Sequence, residues 1–157
     1  MTEKVISQIQ FEIKQIDRLL ELYADLLERV QKRQPNLVDV TAVASILHSF
    51  YNGLENIFLR IAKNIDANVP TDARWHRDLL TLMTKATSSR APVLTTETAQ
   101  QLTGYLGFRH FYRHSYSFFL EWGELEKLVT PLAKVWEQVK DELELFLDSL
   151  DPGEPKA

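Results

Sequence analysis

Cysteine is absent from the 157 residues, which removes disulfides, thiolate zinc sites and cysteine nucleophiles in one step. The composition suits a reducing interior, so a cytoplasmic location is expected. No uninterrupted apolar run approaches the roughly 20 residues of a membrane span, and Met1-Thr2-Glu3-Lys4-Val5-Ile6-Ser7 lacks the apolar segment and small-residue cleavage site of a signal peptide. No membrane attachment is expected. An excess of positive charge is also missing: 18 Lys and Arg face 22 Asp and Glu, for a net charge of −4. Indiscriminate binding to nucleic acid needs many cations that release counterions, so any nucleic acid would have to meet a local basic patch. The chain has no glycine-rich phosphate loop, no His-Glu-x-x-His, no calcium loop and no Gly-x-Ser-x-Gly. Most familiar enzyme classes are thereby set aside.

What is present is helical periodicity. Hydrophobic residues make up 45% of the chain and charged residues 25%, enough for one sizeable core and one domain over residues 1–150, with 151–157 expected to be a flexible tail. From Ile6 through Ile13, Leu20 and Leu27 to Val30, apolar residues recur at spacings of three and four and predict one amphipathic helix over 5–30. Gln34-Pro35-Asn36 stops it. A second helix is predicted from Asp39, as N-cap, to about Ile65, and its wide apolar stripe places it at the centre. Trp75, Leu79, Leu82 and Met83 mark a shorter third helix. Thr95 or Thr96 caps a fourth, predicted to run through Phe111, Phe118 and Phe119 to about Glu121.

Gly104 and Gly107 inside that helix each cost about 1 kcal/mol relative to alanine, which points to close approach by a neighbouring helix or to a kink. Trp122-Gly123 breaks the pattern. A last stretch then runs from Leu125 to Leu150, with Pro131 bending or restarting it. With no alternating strand pattern and no repeat, the expected fold is an all-α antiparallel bundle of four to five helices.

The chemistry concentrates in Arg109-His110-Phe111-Tyr112-Arg113-His114-Ser115-Tyr116. His110 and His114 stand four apart, a spacing that can chelate a metal, but no carboxylate stands at matching spacing and no metal is assigned. The same residue types suit metal-free phosphodiester chemistry, in which histidine moves a proton and arginine stabilises phosphoryl charge. At about 100° per residue, Arg109, Arg113 and Tyr116 share a helix face while His114 lies about 140° from Arg109. A bend, the reach of the arginine, or a symmetric dimer could bring them to one phosphate; the dimer is favoured. The plainer alternative is a salt-bridged surface. Arg74, His76 and Arg77 form a second basic group on a helix that Trp75 and Leu79 anchor. Asn52, Glu55 and Asn56 interrupt the central helix with polar groups that need partners, and orienting His114 is one use for them.

Arg109, four residues, His114, one residue and Tyr116 reproduce the Arg-x4-His-x-Tyr motif, and here the chain resembles the HepT-like toxins of the HEPN ribonucleases. Ser49-Phe50-Tyr51-Asn52-Gly53-Leu54-Glu55, Trp75-His76-Arg77-Asp78-Leu79-Leu80 and Tyr105-Leu106-Gly107-Phe108-Arg109-His110 also look like this family, and the likeness covers most of residues 5–150.

The resemblance implies a metal-independent endoribonuclease toxin, a homodimer that cleaves RNA such as tRNA in a cleft, with Arg109 and His114 catalytic. His110 and Arg113 become candidate RNA contacts. It further implies a nucleotidyltransferase antitoxin of the MNT type that uses ATP to place AMP on Tyr116, the toxin needing no cofactor of its own. Phosphate charge and bulk beside Arg109 would occupy the arginine and repel RNA. The acidic overall charge is compatible, since only the cleft needs to be positive. The rival functions are a non-catalytic helical subunit that binds a nucleotidyltransferase or its substrate, and a scaffold whose basic motif salt-bridges across a dimer.

Overall fold

The computed structural model describes residues 2–116 and 120–150. Among them lie seven helices and no strand: α1 (Thr2–Leu22), α2 (Ala24–Lys32), α3 (Leu37–Asn64), α4 (Trp75–Leu82), α5 (Thr96–His114), α6 (Trp122–Val129) and α7 (Leu132–Leu150). The five stretches read from periodicity become seven helices because the first and last are each divided. Tyr23, at φ −106° and ψ 13°, separates α1 from α2, and Thr130-Pro131 separates α6 from α7. Proline cannot donate to the carbonyl one turn back, so the second division follows from sequence. The first does not, because the apolar spacing continues through it.

α3 is the centre. Phe50, Leu54, Ile57, Phe58 and Ile61 are inaccessible to solvent, each such side chain contributing about 1.5–3 kcal/mol through removal from water, and α1, α2, α4, α5 and α6 all pack on it. Its start is fixed by Asn36 rather than Asp39: the Asn36 side chain accepts the Asp39 N–H at 2.8 Å, as an N-cap does. The Asp39 carboxylate is engaged elsewhere, accepting from Arg29 at 2.8 Å. Gly53 allows α1 to come close, since a Cβ there would sit 3.0 Å from Ile16.

α5 is capped by Thr95, whose hydroxyl accepts the Thr98 N–H at 3.2 Å. It ends at His114 with Ser115 extended, short of the expected Glu121, so Tyr116 lies beyond the helix; Phe118 and Phe119 fall outside the described residues, as does the expected tail 151–157. Trp122 and Gly123 open α6 instead of breaking a pattern. Gly104 is a place of close approach, with Leu128 of α6 3.0 Å from a Cβ built there, whereas Gly107 has nothing within 4 Å. Beside Gly104, the Tyr105 hydroxyl donates to the Leu128 carbonyl at 2.7 Å.

Two buried polar clusters fix the helices that flank the site. Arg90 donates to both Asp66 oxygens at 2.8 Å and to the Lys85 carbonyl at 2.8 Å, tying the loop before α4 to the loop after it. Glu142 of α7 accepts the Thr95 N–H at 2.6 Å, the Thr98 hydroxyl and the Gln138 amide at 2.7 Å. Burial raises the Glu142 pKa, but these hydrogen bonds outweigh it and hold the carboxyl below its ordinary value. The first turn of α5 is therefore pinned to α7, which sets the rotation of everything further along α5.

Removing this carboxylate strands three donors, those of Thr95, Thr98 and Gln138. Glu142→Ala should cost about 2 kcal/mol, on the order of 4–8 °C in melting temperature for a domain of this size. A thermal melt within 1 °C of wild type would contradict the assignment.

Candidate active-site cleft

On α3, His48, Tyr51 and Glu55 follow one another at spacings of three and four, which places them on one stripe. Glu55 is 3% exposed. A carboxylate in such a place is costly unless it is paired, and it has two partners from separate helices. His76, in the first turn of α4, brings Nδ1 to 2.7 Å from Glu55 Oε2. Arg109 of α5 brings a terminal guanidinium nitrogen to 3.4 Å from Glu55 Oε1. An ionised carboxylate only accepts, so His76 Nδ1 must carry the proton it donates. Another Arg109 nitrogen lies 3.5 Å from that same Nδ1, where two donors meet and no hydrogen bond forms.

Arg109 is consequently held by charge more than by directed bonds. Its side chain is 11% exposed, and its Nε is buried with no hydrogen-bond partner among the described residues. The Tyr51 hydroxyl and His48 Nδ1 are in the same condition. Burial pushes the Tyr51 phenol well above its ordinary range, the Glu55 charge adds to this, and Arg109 opposes it. The hydroxyl stays neutral. His48 packs its ring 4.8 Å from that of Tyr112; burial first, then the charges of Arg109 and Arg113, hold its pKa below the ordinary imidazole value.

Above this floor, α4 and α5 enclose a cavity of about 1000 Å³. Arg74, His76 and Arg77 line it from α4 and the residue before it; Gly107, Arg109, His110, Arg113 and His114 line it from α5. Among the described residues no Asp or Glu lines it, although the chain as a whole is acidic. The His110 and His114 rings lie 4.7 Å apart, one turn from each other. Among the described residues no group of three or more His, Asp or Glu side chains is placed to hold a metal ion.

Arg109, His110, Arg113 and His114 thus reach one cavity within one chain, despite the angle between Arg109 and His114 on an ideal helix. The width of the cavity accommodates that angle. Tyr116 does not share the helical face of Arg109 and Arg113, because α5 has ended; it is 70% exposed and does not line the cavity. The second basic group, Arg74, His76 and Arg77, joins the first instead of standing apart from it. Glu55 turns inward to His76 and Arg109, not to His114, while Asn52 and Asn56 face solvent. His48 and Tyr51 were not singled out from the sequence. Their spacing with Glu55 was the available signal, hidden within a stripe that also reads as core.

A family model described as HepT-like protein matches residues 42–150, a span that runs from the early turns of α3 through α7. No curated protein and no solved structure matches the chain.

The neutral state of His48 has a consequence for stability. The unfolded chain takes up this proton near 6.5 while the folded chain resists it, so the group's contribution to stability is lost as pH falls below that value. In melts between about pH 7.5 and about pH 5.5, His48→Gln should lose less melting temperature than wild type. Equal losses would contradict the assignment.

Proposed function

The chain belongs to the HepT-like family, and on that premise we propose that it is a metal-independent endoribonuclease toxin acting in the cytoplasm. Membership suggests the HEPN-type toxin and ribonuclease superfamily. The observation that carries the finer reading is the cavity between α4 and α5, lined by four arginines and three histidines without a carboxylate. A wall of that kind in an acidic protein concentrates field on one place and attracts a polyanion there.

In this reading Arg109 contacts the non-bridging oxygens of the scissile phosphate, using donors that Glu55 leaves uncommitted. His114, at the open end of α5, transfers a proton at the reacting oxygens. His110 and Arg113 hold neighbouring phosphates. The product expected of cleavage without a metal is a 2′,3′-cyclic phosphate with a 5′-hydroxyl, because the nucleophile is the ribose 2′-oxygen. Two copies of the chain set their cavities side by side around an axis, and RNA lies across both.

The exposure of Tyr116 supports a route to neutralisation. Its exposure puts the phenol within reach of another protein's active site, and it follows His114 by two residues. A nucleotidyltransferase antitoxin of the MNT type would use ATP to attach AMP there. The added phosphate places negative charge beside Arg113 and His114, where it competes with RNA. The toxin itself uses no cofactor.

The purified chain, incubated with RNA in excess chelator, should cleave it, and Arg109→Ala and His114→Ala should each slow cleavage by about 10²–10⁴. Equal cleavage by all three proteins would overturn the catalytic assignment. After co-expression with a nucleotidyltransferase encoded beside it, the intact mass should carry added AMP that Tyr116→Phe abolishes. Neutralisation with no change in mass would instead mean inhibition by binding alone.

A further inference from the structure

We propose that His76, held by Glu55, is a second catalytic histidine of the cleft and removes the proton from the attacking ribose 2′-hydroxyl. The inference rests on the ribonuclease reading and adds to it a base that the Arg-x4-His-x-Tyr segment does not contain.

Three features of His76 set it apart from the histidines of α5. Its Nδ1 is anchored at 2.7 Å to a carboxylate that is 3% exposed, whereas neither His110 nor His114 has a carboxylate partner among the described residues. Its ring lies 3.5 Å from that of Trp75, centroid to centroid, at an interplanar angle of 31°, which restricts rotation. With the proton on Nδ1, the neutral ring has its lone pair on Nε2, and the side chain, 27% exposed, lines the cavity. A base held in one tautomer by a buried acid is the arrangement that activates hydroxyl nucleophiles in general. If the Glu55–His76 pair served only to join α3 to α4, nothing would require its outer edge to line a basic cavity beside Arg109.

Arg109 supplies the register. One of its nitrogens lies 3.5 Å from His76 Nδ1, so a phosphate bound to Arg109 brings the adjoining 2′-hydroxyl to the His76 side of the cleft. His76 Nε2 then takes the proton from O2′, the O2′–P bond forms and the P–O5′ bond breaks. The leaving O5′ accepts a proton from His114 in its protonated form. The products are a 2′,3′-cyclic phosphate and a 5′-hydroxyl, with His76 protonated and His114 neutral until both exchange with water. Glu55 is a positioning residue in this scheme: it touches no reacting atom and acts through the tautomer of His76.

The test uses the full chain in chelator with an RNA oligonucleotide and compares wild type with Arg109→Ala, His76→Ala, His76→Gln and Glu55→Gln. His76→Ala should lower kcat by about 10²–10⁴ with KM little changed, and added imidazole should restore part of the rate. Glu55→Gln can offer an amide N–H to Nδ1 and so move the proton to Nε2; kcat should fall at least tenfold with KM again little changed. His76→Gln, whose amide N–H can still donate to Glu55, should be as slow as His76→Ala while melting closer to wild type than His76→Ala does. Overturning results are a His76 variant that cleaves within about threefold of wild type, or a folded but inactive His76→Ala that imidazole does not rescue. If wild type itself cleaves no RNA, the ribonuclease reading falls and the inference falls with it. Cleavage that requires Arg109 but not His76 removes the inference alone.

Discussion

A carboxylate buried at the middle of the central helix is the constraint around which the cleft is organised. Glu55 occupies a position on α3 where its neighbours along the stripe are core residues, and taking an ion out of water there carries a penalty of several kcal/mol. His76 and Arg109 offset it from two different helices. Removing one member of such a buried pair typically destabilises by about 3–5 kcal/mol, because the remaining charge has no compensation. The helices α4 and α5 are therefore held by charge as well as by apolar contact. The same bonds decide which edge of the His76 ring and which guanidinium donors remain available to the cavity.

The rest of the fold keeps α4 and α5 in register with that anchor. Glu142 fixes the first turn of α5 against α7, Tyr105 fixes its middle against α6, and the Arg90–Asp66 cluster joins the loops at both ends of α4. Each of these is a polar bond in at least partly buried surroundings, where geometry is directional and a slip of one residue would leave donors unsatisfied. An apolar interface alone would tolerate more rotation. The outcome is a helix that turns Arg109 partly inward, toward Glu55, and leaves His110, Arg113 and His114 exposed on the same cavity. Positive charge thus accumulates at one place on an acidic protein.

Much of this was legible in the sequence, and the boundary of legibility follows the range of the interactions. Apolar spacing located the helical stretches, since amphipathicity is a local property of a helix face. Gly104 was legible as a point of close approach because glycine inside a helix is unfavourable without a reason, while Gly107, in the same helix, faces the cavity and meets no neighbour. The segment Arg109–His114 was legible from residue type and spacing. The partners of Glu55 were not: His76 is 21 residues away and Arg109 farther still, and a lone polar residue on an apolar stripe does not say which helix will come to meet it. The end of α5 was not legible, because Phe118 and Phe119 continue the apolar spacing beyond Ser115, and that spacing places Tyr116 on the face of Arg109, which the extended Ser115 prevents. Asn36 and Asp39 cap equally well by type, so residue type does not choose between them; the position of the proline, one residue before Asn36, is the better guide.

Because the proposed base depends on how Glu55 orders its two partners, the tautomer of His76 is the decisive observable. In ¹⁵N-labelled protein, two-bond ¹H–¹⁵N correlation spectra distinguish a neutral ring protonated at Nδ1 from one protonated at Nε2. His76 is expected to be protonated at Nδ1 in wild type and to lose that preference in Glu55→Gln. A neutral His76 protonated at Nε2, with Nδ1 accepting a hydrogen bond from Arg109, would contradict it.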